Sequence, residues 1–222
     1  YRSPEKHKSI ENKECTCAQE QQGKIISAFY HGAKSLWWMS EKQMEIYHKK
    51  FPFLSQGRNT VLSSVFNEEF FLKINQLREK YRDYKRSGWV ILGSNSWIKG
   101  YDEAIKWCEE NKKEHEVVWN IPYFDLLEKL SRSEGLVFLP NGADTCPRLV
   151  IEAKLLGCKL HINENVQHKD ELWFDTNDMF DTEAYLFAAR ENFWNGIKSD
   201  MEFDHSLSGY TTVLNCNKNN YP

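Results

Sequence analysis

Two carboxylates eight residues apart, Asp144 and Glu152, stand in the run Asp144-Thr145-Cys146-Pro147-Arg148-Leu149-Val150-Ile151-Glu152. The strand-like segment Leu136 to Leu139 and the turn residues Asn141 and Gly142 precede it, and a second apolar segment, Lys159 to Ile162, follows. Strand, loop, helix, strand is a βαβ unit, and such units place ligands beyond the C-terminal end of the strand. There the helix N-terminus offers unpaired N–H groups and a partial positive charge, which suit a phosphate. A carboxylate near the loop and another two turns into the helix would bracket a polar ligand with many hydroxyls. Phosphate and hydroxyls together point to a nucleotide-sugar.

A second loop, Gly93-Ser94-Asn95-Ser96-Trp97-Ile98-Lys99-Gly100, follows another strand-like run and opens another helix. Its small residues let backbone approach a ligand closely, and Lys99 at the helix entrance meets phosphate as a point charge. Each residue has a plainer reading. Lys99 is then a solvated lysine, Asp144 an N-cap, and Glu152 one of an exposed i,i+4 pair with Arg148. Arg148 in the first turn of a helix runs against the dipole preference for acids there, which makes more sense if it faces an anion. Glu152 among Val150, Ile151, Ala153 and Leu155 needs a partner or a ligand if its helix is buried.

The elements that must position these loops read as follows. Residues 1–21 are polar and without apolar periodicity. Lys24 to Ala33 forms a short helix, Leu36 to Met39 a strand, and Ser40 with Gln43 a capping box for a helix to His48. Thr60 to Ser63 is a strand, and Glu68 to Tyr84 a long amphipathic helix. Strands Trp89–Leu92, Glu116–Trp119, Leu136–Leu139 and Lys159–Ile162 then alternate with helices ending at Cys108, spanning Phe124–Leu130, and carrying Glu152. Apolar strands alternating with helices predict an α/β fold: a Rossmann-like, mostly parallel six-stranded sheet with helices on both faces. Ala184 to Ile197 is a last helix, and the Asn- and Ser-rich stretch after Asp200 reads as ill-ordered.

Hydrophobic residues at 41% and charged residues at 27% fit an ordinary globular protein. A net charge of −3 argues against a nucleic-acid surface, which needs concentrated Lys and Arg. No apolar run approaches the roughly 20 residues of a membrane span, so none is expected. The chain opens without a signal-peptide pattern and without Met, which suggests a fragment or an excised domain; the scattered cysteines, read as reduced, carry the expectation of a cytoplasmic protein. Cys108, Cys146 and Cys158 lie in or beside predicted helices as small apolar thiols, kept reduced. Cys15 and Cys17 with His7 lack both the usual spacing and a fourth ligand for zinc, so no metal is expected. His115, His161 and His168 read as ordinary surface or sheet-edge residues, and Trp37-Trp38 as core.

From about Ser35 to Leu172 the chain resembles the C-terminal, donor-binding domain of GT-B glycosyltransferases, most like glycosyltransferase family 4. The family's Gly-Arg-Leu-x-x-x-Lys-Gly loop is matched by Gly93 to Gly100, with Ser94 and Asn95 in place of the Arg and the Leu. Its Glu-x7-Glu signature is matched by Asp144 to Glu152, with Asp for the first Glu and so one methylene less reach. Val61 to Phe70 looks like the linker into the donor domain, with Ser63-Ser64 for the usual Asn-Gly, and Phe193-Trp194 like the final helix crossing back.

The resemblance implies a retaining, metal-independent hexosyltransferase that takes a UDP- or GDP-type sugar as substrate and needs no cofactor. Lys99 would hold the pyrophosphate beside Gly93 and Ser94, Glu152 the ribose hydroxyls, and Asp144 the transferred sugar. Backbone N–H groups in the stretch from Thr145 to Arg148 would meet phosphate and sugar oxygens, and the base would lie near Asn120 and Ile121. Catalysis would fall to Asp144, Glu152 and Lys99. The implied organisation is a remnant of a preceding acceptor domain in 1–34, a donor domain in 35–180, a crossing-back helix in 181–200 and a flexible tail in 201–222. The acceptor, a glycan or other hydroxyl compound, would bind a further domain in this chain or another. A non-catalytic nucleotide-sugar-binding or protein-interaction module that keeps the fold is the alternative.

Overall fold

The computed structural model describes residues 12–14, 16 and 19–216, with side chains as far as 202. Among the described residues six strands form two separate parallel sheets, where the sequence predicted a single six-stranded one. β1 (Ser35–Trp38) pairs only with β2 (Arg58–Val61). The second sheet has the order β4-β3-β5-β6, from β3 (Trp89–Leu92), β4 (His115–Val118), β5 (Gly135–Phe138) and β6 (Lys159–Ile162). Six apolar runs fit one sheet or two equally well, because periodicity does not name a strand's hydrogen-bonding neighbour. The small sheet has its own core of Trp38, Phe51 and Leu54, packed by α1 (Gln21–His31) and α2 (Glu41–Lys50).

In the larger sheet, α4 (Tyr101–Glu110) covers one face, burying Ala104 and Cys108 against Trp89, Ile91 and Val137. The opposite face carries α3 (Glu68–Lys80), α5 (Tyr123–Arg132), α6 (Arg148–Leu155) and the first turns of α7 (Met179–Cys216). Here Ile74, Leu77, Leu127, Leu130, Ile151, Leu155 and Leu186 are almost fully buried on Val90, Leu136 and Phe138. The central strands β3 and β5 are apolar on both faces because both are covered, while the edge strands β4 and β6 expose Glu116 and Lys159.

Local sequence sets the ends of these helices. Asn67 caps α3, its side chain accepting from the Phe70 N–H at 3.0 Å. α2 opens on Ser40, which accepts from the Gln43 N–H, while the Gln43 side chain accepts from the Met39 N–H. α6 ends in a Schellman motif: the Gly157 N–H reaches Lys154 O, the Cys158 N–H reaches Ala153 O, and Gly157 takes φ +77°.

α7 runs on from the larger sheet to the smaller. Phe193 meets Trp37 edge to face, Gly196 lies beneath the Trp37 ring, and Asp200 pairs with Arg58 at 3.0 Å and accepts from Ser35. It is longer than the predicted Ala184–Ile197, and its backbone stays helical to Cys216, within the stretch expected to be ill-ordered. Residues 217–222 and the Cys15, Cys17 and His7 candidates lie outside the described residues. Among the described residues no helix is long and apolar enough to cross a membrane. Cys108, Cys146 and Cys158 are free and buried, as expected of packing thiols.

The strand order puts the chain reversal between β3 and β5. From β3 the chain leaves to one face and from β5 to the other, which opens a crevice at the C-terminal edge. Gly100 closes the floor of that crevice. Its φ of +63° lies in the left-handed region, and a Cβ there would stand 1.7 Å from the Leu139 carbonyl oxygen. Gly100→Ala is expected to cost on the order of 3 kcal/mol, combining a left-handed backbone with a clash against main chain that cannot yield. Urea unfolding of the two proteins side by side measures it.

Candidate functional site

The loops after β3 and β5 leave the sheet side by side and are stitched together. The Asn141 N–H donates to Ile98 O at 3.0 Å, and its side-chain amide to Trp97 O at 3.3 Å. Gly142 sits beneath the Trp97 ring. On the far side, the Asn163 and Asn165 amides both donate to the Pro140 carbonyl. A parallel bridge between Asp144 and Val166 extends the edge between β5 and β6, with the Asp144 N–H on Asn165 O and the Gln167 N–H on Asp144 O. The backbone of Asp144 is therefore held on both sides, and its side chain is free to face the crevice.

Lys99 and Asp144 meet there. The Lys99 ammonium donates to Asp144 Oδ2 at 2.7 Å, in a half-buried ion pair that also lies near the Phe138 ring. Lys99 is thus no freely solvated lysine. Asp144 is not an N-cap either: Pro147 occupies that position of α6 and makes no side-chain cap. Proline there costs nothing, because its missing N–H is one of the groups a helix start leaves unpaired. It also means that only Thr145, Cys146 and Arg148 of this stretch bring backbone N–H groups.

Glu152 is 3% exposed, which removes it from the solvent-facing stripe. α6 is buried on nearly every side, with Leu149, Val150, Ile151, Ala153 and Leu155 all in the core. The Tyr123 hydroxyl donates to Glu152 Oε1 at 2.8 Å, and Arg148 Nε stands 3.7 Å from the same oxygen. Burial pushes the Glu152 carboxyl above its ordinary pKa, opposed by Tyr123 and Arg148. Arg148 lies over the Phe66 ring at 4.4 Å and keeps its guanidinium partly exposed.

The structure brings Gly93, Ser94, Lys99, Asp144, Thr145, Cys146, Pro147, Arg148 and Glu152 to one edge of one sheet. Gly93 is needed as glycine because Trp119 folds across it, its ring 2.0 Å from where a Cβ would be. Ser94 accepts from the Ser96 N–H and shapes the loop. Asn120, exposed and left-handed at φ +49°, and half-buried Ile121 follow β4 on the same edge. Cys146 is buried against Ser64, and its thiol is pushed up to about 11 by burial, so only its backbone is available to a ligand.

Tyr123 and Phe66 were not singled out from the sequence, although the position of Tyr123 directly after β4 and Pro122 marks it for this edge. His168, read as a surface residue, is completely buried between Trp173 and Phe174, behind Thr145. His161 stacks on Trp107 at 3.9 Å, and His115 is half-buried on β4. Among the described residues no three His, Cys, Asp or Glu side chains come together to hold a metal ion.

Two pH effects follow. Burial depresses His168 to about 4, below the ordinary histidine value. A depressed base favours folding above the unfolded pKa, and that contribution is lost as pH falls through the folded one. Stability should therefore drop by up to about 3 kcal/mol between about pH 6.5 and pH 4, and His168→Phe should flatten that limb in urea titrations. Glu152 has the opposite sign. A raised acid is penalised once ionised, so Glu152→Gln should be more stable than the parent at pH 7, with the gain shrinking as pH falls towards the ordinary carboxylate value. Thermal melts across that range check it.

No protein-family model matches the chain, and no curated protein matches it. Among solved structures the chain is similar to the crystal structure of WaaG, a glycosyltransferase involved in lipopolysaccharide biosynthesis, with a TM-score of 0.43 and 12% identity. The match covers 82% of this chain and 62% of that one, so the chain spans less than two thirds of its neighbour's length.

Proposed function

We propose that the chain binds a nucleoside-diphosphate sugar at the β3–β5 crevice and is the donor-binding part of a retaining glycosyltransferase. The observation that carries this reading is the convergence of Lys99, Asp144, Glu152 and the start of α6 at the switch point of a parallel sheet. Each group matches one part of such a donor. Lys99 takes the diphosphate, assisted by the N–H groups at the start of α6 and by Arg148, whose exposed guanidinium offsets the absence of an arginine at Ser94. The Glu152 carboxylate takes ribose hydroxyls, Asp144 takes the sugar, and the base lies along Asn120 and Ile121.

In this reading Lys99 changes partner on binding. Its ammonium leaves Asp144 for phosphate, and the released carboxylate accepts from sugar hydroxyls. During transfer the bond from the anomeric carbon to the diphosphate breaks, and the electron pair leaves with the diphosphate. The acceptor hydroxyl forms the new bond and gives up its proton to the departing diphosphate oxygen. Lys99 and the α6 N-terminus stabilise the charge that grows on the leaving oxygen, without a metal in the scheme. The acceptor and the groups that orient it belong to a further domain.

Calorimetric titration with UDP, GDP, ADP and their common sugars tests the reading. One nucleotide should bind saturably. Glu152→Ala should abolish that binding, and Lys99→Ala should weaken it by about tenfold or more, one charge-assisted contact being worth at least about 1.5 kcal/mol. Folded protein that binds none of the panel would leave an interaction module as the better reading.

A further inference from the structure

We infer that the Tyr123 hydroxyl is an internal stand-in for a ribose hydroxyl on Glu152, and that a nucleotide must displace it to bind. The inference rests on the donor-site reading above and adds a specific occupant to it. The bond itself is the first argument: a hydroxyl donating to a carboxylate oxygen at 2.8 Å is the contact a ribose would make with the same atom. Need is the second. Glu152 is 3% exposed, and Arg148 Nε at 3.7 Å is too far for a hydrogen bond, so Tyr123 supplies the donor that a buried carboxylate cannot go without.

Room to move is the third. Tyr123 is the first residue of its helix and 41% exposed, so one side of its ring is open to solvent and the Glu152 bond is what holds its tip. Beside it lies an open hollow of about 390 Å³ between Phe66, Phe70, Phe124 and Arg148. A rotation about χ1 swings the phenol out of the crevice into this aromatic-walled space. Glu152 exchanges one hydroxyl donor for another and is never left bare. Because only the displaced state takes ligand, the apparent affinity of the parent protein is lowered by the fraction of molecules in that state.

Tyr123→Phe separates this from a supporting role. The variant keeps the ring and loses the competing donor, so it should bind the ribonucleotide about tenfold more tightly, the worth of one hydrogen bond to a charged group. Titrations would use UDP, GDP and ADP, with the 2′,3′-dideoxy counterpart of whichever binds. The dideoxy compound, which displaces Tyr123 but brings no hydroxyl to the vacated place, should gain from Tyr123→Phe as the ribonucleotide does and remain the weaker binder with both proteins. Unchanged or weaker ribonucleotide binding by Tyr123→Phe, with Glu152→Ala still abolishing it, overturns the inference and leaves the donor site standing. Absence of binding by parent and Tyr123→Phe alike overturns the donor site, and this inference with it.

Discussion

Gly100 and the Leu139 carbonyl approach so closely that no side chain fits between them, and much of the crevice follows from that contact. It brings the loop after β3 onto the loop after β5, so that Asn141 can bond to Trp97 and Ile98 and Lys99 can reach Asp144. A wider separation would leave the two loops as independent surface turns. The constraint is steric and belongs to the main chain, so it does not depend on pH or salt. The charges it juxtaposes do: a half-buried ion pair leaves Lys99 and Asp144 neutralising one another across the two loops.

The two sheets are joined by polar contacts more than by apolar burial. Glu171, 7% exposed, accepts from the Glu41 N–H at the start of α2 and from Trp173 Nε1, while Ser40 donates to Gln167. Lys42 reaches the Glu164 carbonyl, and Thr145 touches Met39. All of these contacts come from the segment after β6 or from the Asp144 loop, so the seam between the sheets runs directly behind the site. Buried polar groups of this kind cost more when left unmet than they return when satisfied, which makes the seam a specifier of relative position. α7 ties the same two parts together from the other side, through Phe193 and Asp200.

Much of the local structure was legible. The bounds of β3 and β6 coincide with the predicted runs, and the capping box of Ser40 opens the helix it precedes. The candidate residues of both loops were legible as a set, because small residues, a lysine and two carboxylates follow strands of one alternating pattern. The grouping of strands was not. β1 and β2 read like the other four, and their separation rests on Trp38, Phe51 and Leu54 closing a core of their own. His168 was unreadable for a related reason: its neighbours in sequence, Gln167, Lys169 and Asp170, are polar, whereas its neighbours in space are Trp173 and Phe174.

The amino-acid sequence by itself determined the parallel α/β class, the positions of the turns, and which side chains the two loops bring to the sheet edge. It did so through periodicity, caps and glycines, all of which act over a few residues. Tertiary structure decided the burial of Glu152, its pairing with Tyr123 from the preceding helix, and the ion pair between Lys99 and Asp144. These depend on strand order and on helices closing over α6 from every side. Such contacts join residues 29 and 45 positions apart, and no local pattern carries that information.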